Sequence, residues 1–185
     1  MQEFDKQLWI ERACARLRRS SRRGVSQERK QQAEAQWLSD VTAIQQLEVL
    51  VDWCHQKGIK ISFEKKEGAT YYTAEKRVSV AGRMSPEKQL CMLLHECGHY
   101  LIGFVDGDDR FGMGYPHVGD DDVNTTFHHR LSCLEEEMEA WHRGWKLSKR
   151  LGLSLTREAF DEVKLDCMRS YFKWVLKPGT METPQ

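Results

Sequence analysis

The segment from Leu93 to Leu101 reads L-L-H-E-C-G-H-Y-L and constrains this chain more than any other. Ser85-Pro86 precedes it as a strong helix start, because a serine oxygen accepts backbone N–H groups and proline fits the first helical position. The helix that begins there is apolar on almost every side, which predicts a central position in the domain. Burial of two histidines and a glutamate in such a helix costs free energy unless their polar groups have partners.

The spacing of His95 and His99 predicts a metal site. Residues four apart lie on one face of an α-helix, so both imidazoles can reach a single ion at about 2.0–2.1 Å. Glu96 lies about 100° round the helix from His95, which brings it close to a water on that ion. The pattern H-E-x-x-H thus predicts two zinc ligands, His95 and His99, and a general base, Glu96. The alternative is two buried histidines hydrogen-bonded to the backbone.

A catalytic zinc needs a third protein ligand, and a later glutamate-rich helix offers one. A helical wheel centred on Glu137 puts one set of large residues to one side, namely Leu134, Met138, Trp141 and Trp145. The other side holds Cys133, Ala140, Gly144, Leu147 and Leu151. Glu137 is therefore at the centre of the buried arc, where a lone carboxylate requires a cation.

The other glutamates of this helix are interpreted as solvated surface, with Glu136 at the edge of the buried arc and Glu135 and Glu139 on the opposite side. The small residues Ala140 and Gly144 favour a close approach to the helix of His95 and His99. Three downstream imidazoles compete with Glu137 for the third position on the metal: His117, His128 and His129.

These two segments resemble the ImmA/IrrE family of zincin metallopeptidases. That family typically carries H-E-x-G-H on its active helix and a glutamate ligand in an E-x-x-A setting, which corresponds here to Glu137-Met138-Glu139-Ala140. The resemblance covers the chain from Leu47 to Leu151, although the family often has Asn where this chain has Trp141. It implies a zincin-like fold, a Zn2+ cofactor and hydrolysis of a peptide bond in a protein substrate such as a regulatory or repressor protein.

The rest of the chain, within a total of 185 residues, predicts an α+β fold. Apolar spacing indicates a basic amphipathic helix within 1–23 and further helices over 26–58, 131–151 and 156–175. Three segments rich in β-branched and aromatic residues, 59–63, 70–73 and 77–80, predict a small, mostly antiparallel sheet on the active helix. We place an N-terminal helical segment at 1–45, a zincin-like metallopeptidase domain at 46–177 and a disordered tail at 178–185.

A Gly- and Asp-rich loop from Gly103 to His129 joins the two ligand helices and is expected to be functional or mobile. The oxyanion donor is sought among Tyr71, Tyr72, Tyr115 and His117. In zincin folds a substrate usually pairs with an edge strand, so a strand about Tyr72 or Val78 is expected to border the cleft.

Composition bears on the cellular location of the protein, on its partners and on the state of its cysteines. No apolar run approaches the roughly 20 residues that span a bilayer, and the first ten residues lack a secretory pattern, which predicts a cytoplasmic protein without a membrane partner. The 28 basic and 28 acidic residues cancel, so no global field favours nucleic acid. Six scattered cysteines predict reduced core thiols, and Cys97 is expected to point away from the metal.

Two alternatives to a peptidase acting on a regulatory protein stay open. One is a non-catalytic interaction protein in which zinc ties helices together, although Glu96 has no use as a structural ligand there. The other is a DNA-associated protease that resembles SprT-like enzymes in strategy, in which the arginine-rich N-terminal helix contacts phosphates.

Overall fold

The computed structural model describes residues 6–20, 26–64, 68–105 and 127–176. Within these ranges the helices are α1 (Lys6–Ser20), α2 (Gln27–Gln56), α3 (Pro86–Tyr100), α4 (Phe127–Arg150) and α5 (Arg157–Leu176). The strands are β1 (Lys60–Glu64), β2 (Ala69–Tyr72) and β3 (Arg77–Ala81), and a π-helical turn, Leu101–Val105, follows α3 directly. These elements confirm the α+β class. Most of the expected Gly/Asp loop and the expected tail lie outside the described residues.

Serines begin α2 and α3, and the sequence predicts the second of these starts at Ser85. The hydroxyl of Ser26 accepts the backbone N–H of Arg29, and that of Ser85 accepts the backbone N–H of Lys88 at 3.3 Å. Each bond satisfies an amide at the open end of a helix. α2 stops where Gly58 adopts a φ of 73°, a conformation that side chains with a Cβ rarely take.

The sheet is mixed, so the prediction of a mostly antiparallel sheet is wrong. Its strand order is β1-β3-β2, with β1 parallel to β3 and β2 antiparallel to it. A four-residue turn over 73–76 folds β2 back on β3 as a hairpin, and β1 pairs with the other edge of β3. Alternation of apolar residues sets which side chains face the core but carries no signal for which strand lies in the middle.

α3 occupies the centre of the fold, as its apolar composition predicts. It packs against α2, α4, α5 and the sheet, and Leu90, Leu93 and Leu94 are fully buried. α2 covers it with Ile44, Leu47 and Leu50, and runs without a break past residue 45. α1 joins the same core through Trp9, whose ring meets Phe63 edge-on at 6.2 Å. Among the described residues, no helix is both long enough and apolar enough to cross a membrane.

α4 begins at Phe127, earlier than the predicted start near residue 131. His128 and His129 therefore belong to the first turn of α4 rather than to the preceding loop. His129 is fully buried and lies edge-on to Trp174 of α5, with ring centroids 6.5 Å apart. This tertiary contact stabilises the first turn of α4.

Candidate metal centre

The side chains of His95, His99 and Glu137 converge between α3 and α4. Nε2 of His95 lies 3.1 Å from one carboxylate oxygen of Glu137, and Nε2 of His99 lies 3.4 Å from the other. One ligand atom from each residue lies within 4.8 Å of the other two. The structure thus brings together the three residues that the sequence predicts as metal ligands.

These separations suit a small divalent cation. Ligand atoms at about 2.0–2.1 Å from one ion, in a tetrahedral arrangement, are about 3.4 Å from one another. The two observed N···O distances, 3.1 and 3.4 Å, are close to that spacing. Two imidazoles and a carboxylate form a donor set that zinc accepts in catalytic sites. The residues present therefore fit the Zn2+ ion that the family resemblance implies.

Glycines set the distance between α3 and α4. A methyl group placed on Gly98 would overlap the backbone carbonyl of Ala140, and one on Gly144 would lie 2.5 Å from the carbonyl oxygen of Leu94. The backbones of the two helices thus come into contact at two points, one and two turns beyond Glu137 along α4. The close approach predicted from Ala140 and Gly144 is confirmed, and Gly98 supplies the matching gap on α3.

Burial and charge oppose each other at this centre. Burial raises the pKa of Glu137, but the charges of His99 and His95 and their hydrogen bonds outweigh it and hold that pKa well below its usual range. Burial also lowers the pKa of His99, yet Glu137 and Glu136 raise it well above its usual value. The cluster therefore holds a buried carboxylate in its ionised form, ready to bind a cation.

Glu96 lies beside the three ligands without belonging to them. Its side chain is 5% exposed, and burial raises its pKa, which the charges of His95 and His99 partly offset. The backbone N–H of Tyr71 on β2 donates to the Glu96 carboxylate. A raised pKa makes this carboxylate a stronger base than an ordinary glutamate, which suits the uptake and return of a proton.

His95 is held by an aromatic stack. Its ring lies nearly parallel to the indole of Trp141, with centroids 4.4 Å apart and planes inclined by 22°. Nδ1 of His95 is buried and has no hydrogen-bond partner among the residues that the structure describes. The stack on Trp141 and the contact of Nε2 with Glu137 therefore orient this imidazole within the described part of the chain.

His99 is held by two carboxylates. Oε1 of Glu136 lies 3.5 Å from Nδ1 of His99, while Glu137 faces Nε2 on the other edge of the ring. The Glu136 side chain is only 16% exposed, so its interpretation as solvated surface is wrong. Its place at the edge of the buried arc was the sequence signal for this contact. Met138, which the wheel put on the buried side, is 44% exposed.

The rival ligands do not join the cluster where the structure describes them. His128 is exposed, and His129 lies about 12 Å along α4 from Glu137. Nε2 of His129 instead lies 3.4 Å from Sγ of Cys133. His117 lies outside the described residues.

Tyr71 and Tyr72 are the two candidates for the oxyanion donor that the structure describes. Tyr115 and His117 lie outside the described residues. Burial, with the charges of Tyr100 and Cys97, raises the pKa of Tyr71 to about 12, so its hydroxyl keeps its proton at neutral pH. The ring of Tyr72 lies under the Arg77 guanidinium at 3.9 Å. Both tyrosines are on β2, which is an edge strand, whereas Val78 lies on the central strand β3.

Cys97 points away from the ligands, as the sequence predicts. Its Sγ lies 3.4 Å from Sγ of Cys54 on α2, and both side chains are fully buried. Burial, reinforced by Cys54 and Glu96, raises the pKa of Cys97 well above its usual value. All six cysteines are free thiols.

The basic helix α1 is amphipathic. Trp9 and Ala13 face the core, whereas Arg12, Arg18 and Arg19 are exposed. Arg16 donates to the carboxylate of Asp40 on α2 at 2.5 Å. One face of α1 thus packs on the domain, and nucleic-acid binding by the other face stays a prediction.

Comparisons of the chain with protein-family models, with curated proteins and with solved structures give no match. What this chain does is therefore inferred from its own residues and their geometry.

Proposed function

We propose that this protein is a zinc-dependent metallopeptidase of the ImmA/IrrE-like zincin type, which hydrolyses a peptide bond in a protein substrate. The observation that carries the proposal is the convergence of His95, His99 and Glu137 from two helices, with ligand atoms within 4.8 Å of one another. Glu96, adjacent in sequence to the first ligand, supplies a buried carboxylate of raised pKa beside them.

Three ligands favour a catalytic ion over a structural one. Structural zinc sites are closed by four protein ligands and are usually rich in cysteine, whereas catalytic sites keep one position open. Within the described ranges, the cluster holds three ligands, and Cys97 turns away toward Cys54. Glu96 has no role in a structural zinc site, yet it is buried beside this one. Both features favour a peptidase over an interaction protein tied together by zinc.

Each residue of the centre has a separate task. When bound, zinc supplies a water of lowered pKa and polarises the carbonyl of the scissile bond. His95, His99 and Glu137 hold the ion. Glu96 accepts a proton on its carboxylate and later delivers it to the leaving amine, and the backbone N–H of Tyr71 keeps that carboxylate in place.

Metal content and hydrolysis together test the proposal. Zinc per chain is measured in protein purified from zinc-replete cells, and cleavage is read by mass spectrometry with a library of peptides derived from a proteome. We expect His95→Ala to lose both zinc and cleavage. Glu96→Gln is expected to keep zinc and to lose about 100-fold to 10,000-fold in rate, the usual contribution of a general base.

Two exposed residues of α4 provide matched controls. His142→Ala removes an imidazole and Glu135→Gln removes a carboxylate charge, both on exposed positions of the helix that carries Glu137. Both controls are expected to keep zinc and activity. Zinc-free wild-type protein, or a Glu96→Gln variant that cleaves at the wild-type rate, contradicts the proposal.

A further inference from the structure

The two nitrogens of His99 face two different carboxylates. Nε2 is 3.4 Å from Glu137, which also contacts His95, whereas Nδ1 is 3.5 Å from Oε1 of Glu136. Glu136 and Glu137 are consecutive on α4, so their side chains leave the helix about 100° apart and reach the imidazole from two sides. Only Glu137 belongs to the cluster of ligand atoms.

When one nitrogen of the neutral His99 ring faces a metal with its lone pair, the other nitrogen carries the proton and donates it to an acceptor. A neutral imidazole has one N–H and one acceptor nitrogen, and the hydrogen bond at one nitrogen decides the role of the other. An acceptor at Nδ1 therefore fixes Nε2 as the ligand atom. It also fixes the rotation of the ring about its bond to Cβ.

We propose that Glu136 is a positioning residue for His99: its carboxylate accepts the Nδ1–H of His99 and thereby presents Nε2 to a metal ion. This inference rests on the proposed function for the presence of that ion, but it does not require peptide hydrolysis. At 3.5 Å the contact is long for a hydrogen bond, and bonds of this kind tighten when a site is filled.

The surroundings of Glu136 suit this role. Its side chain is 16% exposed, against 3% for that of Glu137, so its carboxylate keeps some hydration. The His99 side chain is 12% exposed, so little water is present to replace Glu136 as a partner of Nδ1. Glu135 and Glu139 do not contact this ring in the described structure, and Glu139 instead accepts a hydrogen bond from Arg143 at 2.8 Å.

The dissociation constant of Zn2+ tests the proposal, with competition against a chelator as the readout. Loss of an outer partner of a ligand histidine typically costs 10–100-fold in metal affinity. We expect Glu136→Ala to weaken zinc binding by about that factor. Glu136→Gln keeps an amide oxygen as acceptor for Nδ1–H, so it is expected to stay within about threefold of wild type. Glu135→Gln, at an exposed position next to it, is expected to change nothing.

Comparison of Glu136→Gln with Glu136→Ala distinguishes a positioning role of Glu136 from a purely electrostatic one. If Glu136 merely adds a negative charge near the ion, the two variants bind zinc equally weakly, and the proposal is overturned. It is also overturned if Glu136→Ala binds zinc as wild type does, or if the wild-type protein binds no zinc. Circular dichroism and denaturant unfolding of the metal-free variants confirm that each is folded.

A second readout follows the Nδ1 proton itself. In the zinc-loaded protein, NMR with 15N-labelled histidine is expected to show a slowly exchanging Nδ1–H on His99, and exchange with water is expected to accelerate in Glu136→Ala. An unchanged exchange rate contradicts the proposal. If these results hold while wild-type protein cleaves no peptide, the peptidase function fails and the positioning role of Glu136 stands.

Discussion

His95 and His99 lie one turn apart on the same helix and both face Glu137 through Nε2, yet the fold holds the rest of each ring by different physical means. His95 stacks on Trp141 at 4.4 Å, and within the described residues its Nδ1 has no hydrogen-bond partner. His99 lies between the carboxylates of Glu136 and Glu137. Stacking depends on the packing of the core, whereas the carboxylates act through charge and hydrogen bonds. The positions of His95 and His99 should therefore be sensitive to different substitutions.

The largest effect is expected from Trp141→Ala, which removes the stacking partner of His95. Trp141 is 1% exposed and also meets Phe160 edge-on at 5.3 Å, so its loss leaves a large cavity. We expect the free energy of unfolding of the metal-free protein to fall by about 3–5 kcal/mol, as for other large core truncations. Zinc affinity should fall as well. Trp141→Phe keeps an aromatic ring and should lose less of both.

Denaturant unfolding checks this, with Glu136→Ala as the contrasting variant. Glu136→Ala should weaken zinc binding with little change in stability, whereas Trp141→Ala should lose both. A Trp141→Ala protein within about 1 kcal/mol of wild type contradicts the view that His95 is held by core packing.

The next effect is expected from Gly98→Ala, between the two histidines. Its methyl group would overlap the carbonyl of Ala140, so α3 and α4 must separate. Overpacking of this kind usually costs about 1–3 kcal/mol. The separation should weaken zinc binding through both histidines, because both share Glu137. Gly103→Ala is the matched control, since no atom of the described residues lies within 4 Å of a methyl group there. Equal stability of the two variants would contradict the backbone contact.

A smaller effect, restricted to the side of His99, is expected from Arg143→Met. Nη1 of Arg143 donates to the carbonyl oxygen of Leu101 at 3.0 Å, which ties α4 to the π-helical turn directly after α3. Loss of this bond should lower the free energy of unfolding by about 1 kcal/mol. Hydrogen exchange of the amides after His99 should accelerate, while amides near His95 keep their protection. Uniform acceleration along α3 would count against this localisation.

The smallest predicted effect is the release of a single proton when zinc binds. Glu137 and Glu136 raise the pKa of His99 well above its usual value in the metal-free protein, so His99 is protonated at neutral pH. Zinc binding must displace that proton, so zinc affinity should rise as the pH is raised toward the pKa of His99 and fall as it is lowered. Calorimetry in buffers of different ionisation enthalpy should show about one proton released at pH 7. Zinc binding without proton release at that pH contradicts the prediction.

The parts of the site that the sequence predicts are those governed by local geometry. The spacing of His95 and His99 depends only on the helical repeat, and Glu137 stands out because a carboxylate at the centre of an apolar arc needs a partner. Ala140 and Gly144, two small residues of α4, likewise indicated the close approach of α4 to α3. Each of these inferences uses residues within two or three turns of one helix.

Other parts depend on contacts between distant segments. The central position of β3 follows from which strand pairs with β1, and hydrophobic alternation is the same in either order. His129, in the first turn of α4, packs on Trp174, 45 residues further along the chain. The role of Glu136 needs the rotation of the His99 ring, and the stack on His95 needs the crossing of α3 and α4. A helical wheel carries none of this information.

The backbone contact at Gly98 and Gly144 has a mechanical consequence. Side chains between two helices can change rotamer and let the helices move closer, but a carbonyl that faces a glycine has no side-chain torsion to relax. The backbones of α3 and α4 therefore set the smallest distance between these helices. The separation of the histidines from Glu137 thus has a lower limit that does not depend on side-chain rotamers between the helices.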